Sequence, residues 1–425
     1  MDEAQMTGGQ QRMSNDLRIM IVQSGARRNY ELAYMFEEAG ALHSLHTTSA
    51  WTGAKRRPLD ILLSLTGAKA RKAIARRRLD ARIPAGKIHA HYLADLARQF
   101  GERVYPELQR AKNLQNHILG NSVLETGFDG ANVYFTVDGN GGFAAIDEAR
   151  SKGLKIVADV VITPLSDQIM REEAARWPGW PTRDLSERQI ELVEGHYLKL
   201  IEKCDLLICP SKTVADGLTA LDCSAAQKIA LIPYGLGGYE IGRNSPTKGR
   251  VLFAGGAPLR KGLPYLGLAA SALKKRGAPC EVVVAGHHSE DVCGQPECAD
   301  LTFLGQLGRD DMKAEFRRAD VLCLPSLAEG SAGVCLEALA YGVPCIVTEA
   351  AGAPVTDGRE GIIVPERDPE AIAIAIETLV SDRSRRAECA AAGLATARNH
   401  TDAAITKTLL ATLRNMVGLS QVELN

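Results

Sequence analysis

Two glutamates, Glu329 and Glu337, bracket the small-residue stretch Gly330-Ser331-Ala332-Gly333 at the start of an apolar segment, VCLEALAYG. Carboxylates placed around a loop first suggest a general acid and a general base. Their positions argue for two different tasks. Glu337 falls about one turn into the helix that VCLEALAYG predicts, where its carboxylate can accept hydrogen bonds from paired hydroxyls such as those of a ribose. Glu329 falls at the end of the buried strand DVLCLPS, facing the cleft of an open parallel sheet. The loop between them has no bulky side chain, so its N–H groups at a helix N-terminus can hold an anion. LFAGGAPLRKG offers related chemistry: a strand, a glycine turn, then Arg260, Lys261 and Gly262, an arrangement suited to phosphate. Each feature alone is equally the ordinary start of an exposed helix. Their order along the chain is much harder to obtain by chance.

The elements that must position these residues alternate in type. LRIMIVQ, NVYFTV, LKIVADVVI, DLLICPS and KIALIPYG read as strands separated by helical patterns, and RVLFAGG, CEVVVAG, LTFLGQ, DVLCLPS, PCIVTE and GIIVP form a second series. Strands spaced by helices imply parallel sheets with crossover helices. At 425 residues the chain is long for one core. The expected architecture is α/β: two doubly wound, Rossmann-like parallel-sheet domains facing across a cleft. The first runs over 14–234, a Gly- and Pro-rich linker over 235–250, and the second over 251–398. A last helix within 399–425 is placed to pack back across the hinge. Residues 1–13, containing MTGGQQRM, read as an epitope-tag remnant.

Composition narrows the function classes. A formal net charge of −1 excludes a globally basic nucleic-acid binder. No apolar run is long enough to span a bilayer, and the N-terminus does not read as a signal peptide. All ten cysteines lie between Cys204 and Cys389, mostly in apolar runs, as buried thiols of a reducing cytoplasm do. His287, His288, Cys293 and Cys298 fit no common zinc spacing. GLGGYEIG lies in the linker without the strand and helix of a dinucleotide fingerprint. No Asp-x-Asp occurs, so that common metal-holding pair is missing from the sequence.

The series FAGGAPLRKG, VVVAG, LTFLGQLGRDDMKAEFRRADVLCLPSLAEGSAGVCLEALAYGVPCIVT and DGREGIIVPERDPEAIAIAI resembles glycosyltransferase family 4, whose members are retaining enzymes of GT-B fold. The resemblance covers about 204–379, including CDLLICPSKTVADGL and KIALIPYG. It implies that Lys261 and Arg260 bind the diphosphate of a nucleotide-activated sugar and that Glu337 binds its ribose. It implies that Glu329 lies beside the transferred sugar and that Gly305, Gln306 and Leu307 contact the base through their backbone. Gly256 stands where the family often has an arginine, a charge Arg260 can supply. The loop reads EGSAG where many members carry a bulky residue after the first glycine.

The N-terminal half resembles the family less. The turn after IMIVQ, with Gly25 and then Arg27 and Arg28, can approach the diphosphate or the acceptor, or be a simple strand-to-helix turn. Where family members often have a histidine, YFTVDGNGG offers Asp138 and Asn140; Asp138 can contact sugar or acceptor, or cap the loop. His89 and His91 share a strand face, as a candidate pair or as surface histidines. Trp177 and Trp180 follow a strand, placed to stack on a sugar or to pack on the domain. The run from Lys55 to Arg82 carries ten basic and two acidic residues, suited to an anionic membrane on the cytoplasmic face or to a solvated helix. The expected activity is metal-independent sugar transfer, with retention, from a nucleoside-diphosphate sugar to a carbohydrate, lipid-linked or small-molecule acceptor. No cofactor is expected. The alternatives are a non-catalytic nucleotide-sugar binder and a GT-B sugar-nucleotide epimerase.

Overall fold

A computed structural model describes residues 16–50, 82–183 and 185–419. Most of the Lys55–Arg82 run, and the 1–13 segment, lie outside the described residues. The chain builds two parallel sheets. The first contains β1 (Ile19–Gln23), β2 (Leu42–Thr47), β3 (Ile88–Ala90), β4 (Val133–Val137), β5 (Lys155–Asp159), β6 (Leu206–Cys209) and β7 (Ile229–Leu231). Its order is β3-β2-β1-β4-β5-β6-β7. The second contains β8 (Arg250–Ala254), β9 (Glu281–Ala285), β10 (Leu301–Gly305), β11 (Val321–Leu324), β12 (Cys345–Val347) and β13 (Gly361–Ile363), in the order β10-β9-β8-β11-β12-β13.

The central strands IMIVQ, VYFTV and RVLFA are buried at every position. A strand covered by helices on both faces needs apolar residues on both, which is why these read as continuous rather than alternating runs. Strand β2, LHSLHT, escapes that pattern because two histidines and a serine interrupt it, yet five of its six residues are buried. It pairs with β1 all along its length. The second core gathers β8 to β13 with their helices. One cluster on the first sheet includes Ile405, Leu409, Leu410 and Leu413 from the last described helix, Asp402–Met416. The chain thus returns to the first sheet after completing the second.

In both sheets the strand order reverses beside the first strand, between β1 and β4 and between β8 and β11. At such a switch point the flanking turns diverge and leave a crevice at the carboxyl ends of the strands. The turns after β1, β4, β8 and β11 are those that carry Gly25, Asp138, the Arg260-Lys261 pair and Glu329.

Candidate active site in the interdomain cleft

Glu329 lies 69 positions beyond Arg260 and 68 beyond Lys261, and the β8–β11 pairing closes that distance. The Lys261 Nζ donates to Glu329 Oε1 at 2.5 Å, and Arg260 Nη1 lies 2.7 Å from Glu329 Oε2. Arg260 also donates to the Ala328 carbonyl at 2.6 Å. Two glycines make room for this. A Cβ on Gly255 would stand 2.2 Å from Lys261 Cδ, and Gly262, at φ +72°, would drive a Cβ to 2.0 Å from the Pro325 oxygen. Burial by itself pushes the Glu329 carboxyl up, but the two cations outweigh it and hold the group below the usual carboxylate range. The result is a compact, largely buried triad of two cations and one anion, of which Arg260 lines the interdomain cavity.

The small-residue loop crosses to the other domain. A Cβ on Gly330 would lie 1.9 Å from the Val161 oxygen, just beyond β5, and the Gly330 carbonyl accepts from the Ser211 hydroxyl. Among the described residues, no oxygen accepts from the N–H groups of Gly330, Ser331 or Gly333. The expectation for Ala332 changes: its N–H donates to Ala351 O at 3.0 Å and is not free for a ligand. Glu337 sits half-buried on the following helix, Gly333–Ala340. Burial pushes its carboxyl up to about 7, against the opposing pull of Arg309, Arg28 and the Tyr239 hydroxyl. Arg28 reaches this point from the β1 turn, bound to Glu31 at 2.6 Å and to the Gly235 carbonyl at 2.9 Å. Arg309 opens the helix after Gly305, Gln306 and Leu307 and donates to the Gly237 carbonyl at 2.8 Å. Both sheets and the linker therefore meet around Glu337.

Gly25 is a second change. Its N–H donates to Thr48 Oγ1 at 3.0 Å and its carbonyl accepts from Thr47 Oγ1 at 3.2 Å, so this turn is closed on β2. The sequence could not show that, because β2 itself was hidden. Asp138 occupies the left-handed region at φ +54°. Its carboxylate accepts from Tyr197 at 2.8 Å, and its carbonyl lies 3.0 Å from His196 Nε2. A carbonyl only accepts, so that nitrogen carries the proton. His196 and Tyr197 come from the helix Glu187–Lys203, and no local motif marks them. With Asp138, Asn140 and Arg260 they line a cavity of about 610 Å³ between the domains.

Other candidates resolve differently. Register places His46 opposite His89. The two rings stack at 4.5 Å, and His46 Nδ1 lies 3.3 Å from His91 Nε2. Burial lowers His46 to about 2 and His91 to about 4, so all three stay neutral near pH 7. Trp177 donates to the Tyr265 hydroxyl at 3.1 Å and Trp180 to Glu297 at 3.2 Å. The two tryptophans thus clamp the second domain instead of presenting free faces to a sugar. Among the described residues no group of three or more His, Cys, Asp or Glu is arranged to hold a metal ion.

Residues 248–382 match the family model described as Glycosyl transferases group 1. An uncharacterized glycosyltransferase of Methanocaldococcus jannaschii is 27% identical over 209 residues, 44% of this chain and 53% of that protein. Glycogen synthase of Mycobacterium tuberculosis is 28% identical over 242 residues, 53% of this chain and 58% of that enzyme. The matches thus span about half the length of these curated relatives. Among solved structures, sucrose-phosphate synthase of Thermosynechococcus elongatus superposes with a TM-score of 0.62 at 17% identity, covering 95% of this chain and all of that one. HepE of Anabaena, in complex with UDP and glucose, gives 0.58 at 14%, covering 94% of this chain and 100% of that one. The strand-turn-helix motifs within 248–382 and the two facing sheets agree with both kinds of match. The chain is a GT-B-fold protein related to the family 4 and glycogen-synthase-like glycosyltransferases.

Proposed function

We propose that the protein transfers a sugar from a nucleoside-diphosphate sugar to an acceptor, with retention at the anomeric carbon and without a metal. The observation that carries this reading is the Arg260–Lys261–Glu329 triad at the β8–β11 switch point, whose Arg260 lines a cavity bounded by the other domain. Breaking the anomeric bond leaves negative charge on the diphosphate and positive character on the sugar. Lys261, Arg260 and the N–H groups of Gly330, Ser331 and Gly333 supply preorganised positive potential for the first. Glu329 holds the two cations in place and sets a carboxylate beside the second. The acceptor hydroxyl attacks from the leaving-group face and passes its proton to a diphosphate oxygen. Asp138 fixes the acceptor side through the tight turn after β4. Glu337 receives the ribose hydroxyls, and the backbone at Gly305, Gln306 and Leu307 meets the base.

The test is a thermal-shift and turnover screen across UDP-, GDP- and ADP-sugars. Product with any acceptor excludes a pure binder, and conversion of donor alone identifies an epimerase. Glu337→Gln is expected to raise the donor KM about tenfold with little change in kcat, since a charged hydrogen-bond acceptor is lost. Because burial holds Glu337 near 7, donor KM should fall as pH rises through that value, and the variant should lose this dependence. A thermal shift by donor that the variant leaves unchanged counts against the ribose assignment.

The same reading extends to contact with an anionic membrane from a reducing, cytoplasmic compartment. All ten cysteines are free, and no described helix is long and apolar enough to cross a membrane. After the Lys55–Arg82 run, the helix Tyr92–Val104 leaves Leu93, Leu96, Phe100 and Val104 between 52% and 72% exposed along one face. That stripe supports peripheral seating on an anionic surface. Flotation with phosphatidylglycerol vesicles should retain the protein, phosphatidylcholine should not, and Phe100→Glu should abolish the difference.

A further inference from the structure

One cation lining the interdomain cavity has no counter-charge of its own. Among its described lining residues, Arg98, Lys112, Arg183 and Arg260 face only two carboxylates, Asp138 and Asp167. Arg260 and Arg183 are committed to the buried carboxylates of Glu329 and Asp167, whereas Arg98 pairs only with Glu102 of its own helix, both side chains being exposed. Lys112, half-buried on the helix Leu108–Thr126, has no carboxylate or hydrogen-bond partner among the described residues. One turn further along the same face is Asn116, which also lines the cavity. Asn116 is 8% exposed, and its Oδ1 is buried with no hydrogen-bond partner. An unpaired cation beside an unsatisfied buried amide is costly to keep inside a protein. A ligand that brings both an anion and hydroxyl groups removes both costs at once. The field reaches across the wall as well, since the Lys112 charge opposes protonation of His196.

We propose that the acceptor carries a phosphate group, held by Lys112 with Arg98, and that Asn116 and Asp138 take hydroxyls next to it. This rests on the transferase reading and narrows it to a phosphorylated acceptor. A lysine and an arginine bind phosphate through charge-assisted hydrogen bonds that an uncharged sugar cannot replace. Such a phosphate belongs either to a soluble sugar phosphate or to a lipid headgroup.

Isothermal titration of the intact protein, with nucleoside diphosphate saturating the donor side, separates these sources. The probes are a hexose, its 6-phosphate, inorganic phosphate, and glycerol 3-phosphate or glycerol as the soluble form of a lipid headgroup. The hexose phosphate or the glycerol phosphate is expected to bind at least about tenfold more tightly than its uncharged counterpart. Whichever binds tighter names the source. Lys112→Gln should remove that preference, Lys112→Arg should keep it, and added salt should weaken it. Arg98→Gln serves as the second variant should Lys112→Gln not fold. Equal binding of charged and uncharged probes, or a preference untouched by Lys112→Gln, overturns the proposal. Titration of the nucleoside diphosphate alone reads the donor side separately. If it does not bind, the transferase reading fails, and the phosphate probes are then compared in Lys261→Ala.

Discussion

Lys261→Ala is expected to lower turnover about 100-fold or more while the chain remains folded. The side chain of Lys261 is 12% exposed, and its ammonium is held at 2.5 Å from Glu329, so its position is fixed before any ligand arrives. A cation fixed in advance stabilises charge that develops on a leaving diphosphate without reorganisation at the moment of reaction. Arg260 contributes alongside it but does not replace it, because its guanidinium is also tied to the Ala328 carbonyl. Lys261→Arg should recover part of the rate, since the charge returns with a different shape. Steady-state kinetics with the identified donor decide it. Near-normal turnover in Lys261→Ala would remove this residue from the mechanism.

Glu329→Ala should act on stability as well as on rate. It leaves Arg260 and Lys261 facing each other without a counter-charge in a largely buried place, and such a loss costs about 3–5 kcal/mol. Addition of a nucleoside diphosphate is expected to restore much of that stability, because the ligand supplies negative charge to the same two cations. Glu329→Gln separates shape from charge. The Glu329 carboxyl is held below its unfolded value, so its contribution is complete above the ordinary carboxylate range and is lost as pH falls through the folded value. Acid denaturation of the parent protein should therefore include a component that Glu329→Gln lacks. Matching acid profiles for the two proteins would show that the triad does not hold Glu329 ionised.

The meeting of Arg260, Lys261 and Glu329 was legible in the sequence because these residues sit on short strand-turn-helix units. Glycines, a Lys and a Glu at the ends of apolar runs mark such units locally, and parallel pairing of β8 with β11 brings them together. The other side was not legible in the same way. Lys112, Asn116, His196 and Tyr197 project from the middle of two long helices, where a polar residue facing inward looks like one facing water. Strand β2 was hidden by its histidines, and with it the closure of Gly25 on Thr48 and the stacking of His46 on His89. These neighbours are set by pairing across distant segments, which residue spacing does not encode.

The helix Ser166–Arg176 and the tryptophans after it belong to the first half of the chain by sequence, but Met170 and Trp180 sit in the core of the second. Glu173, fully buried there, is bound by the Tyr265 hydroxyl and by Arg367. The body that carries Arg260, Lys261 and Glu329 therefore includes this borrowed segment. Asp167, Met170 and Arg183 of that body face Asp138, Asn140 and Lys112 of the other across one cavity. A molecule bridging those walls links the two bodies, so its affinity depends on their separation. By thermodynamic reciprocity, any change in separation caused by one substrate alters the affinity for the other by the same factor that the other returns.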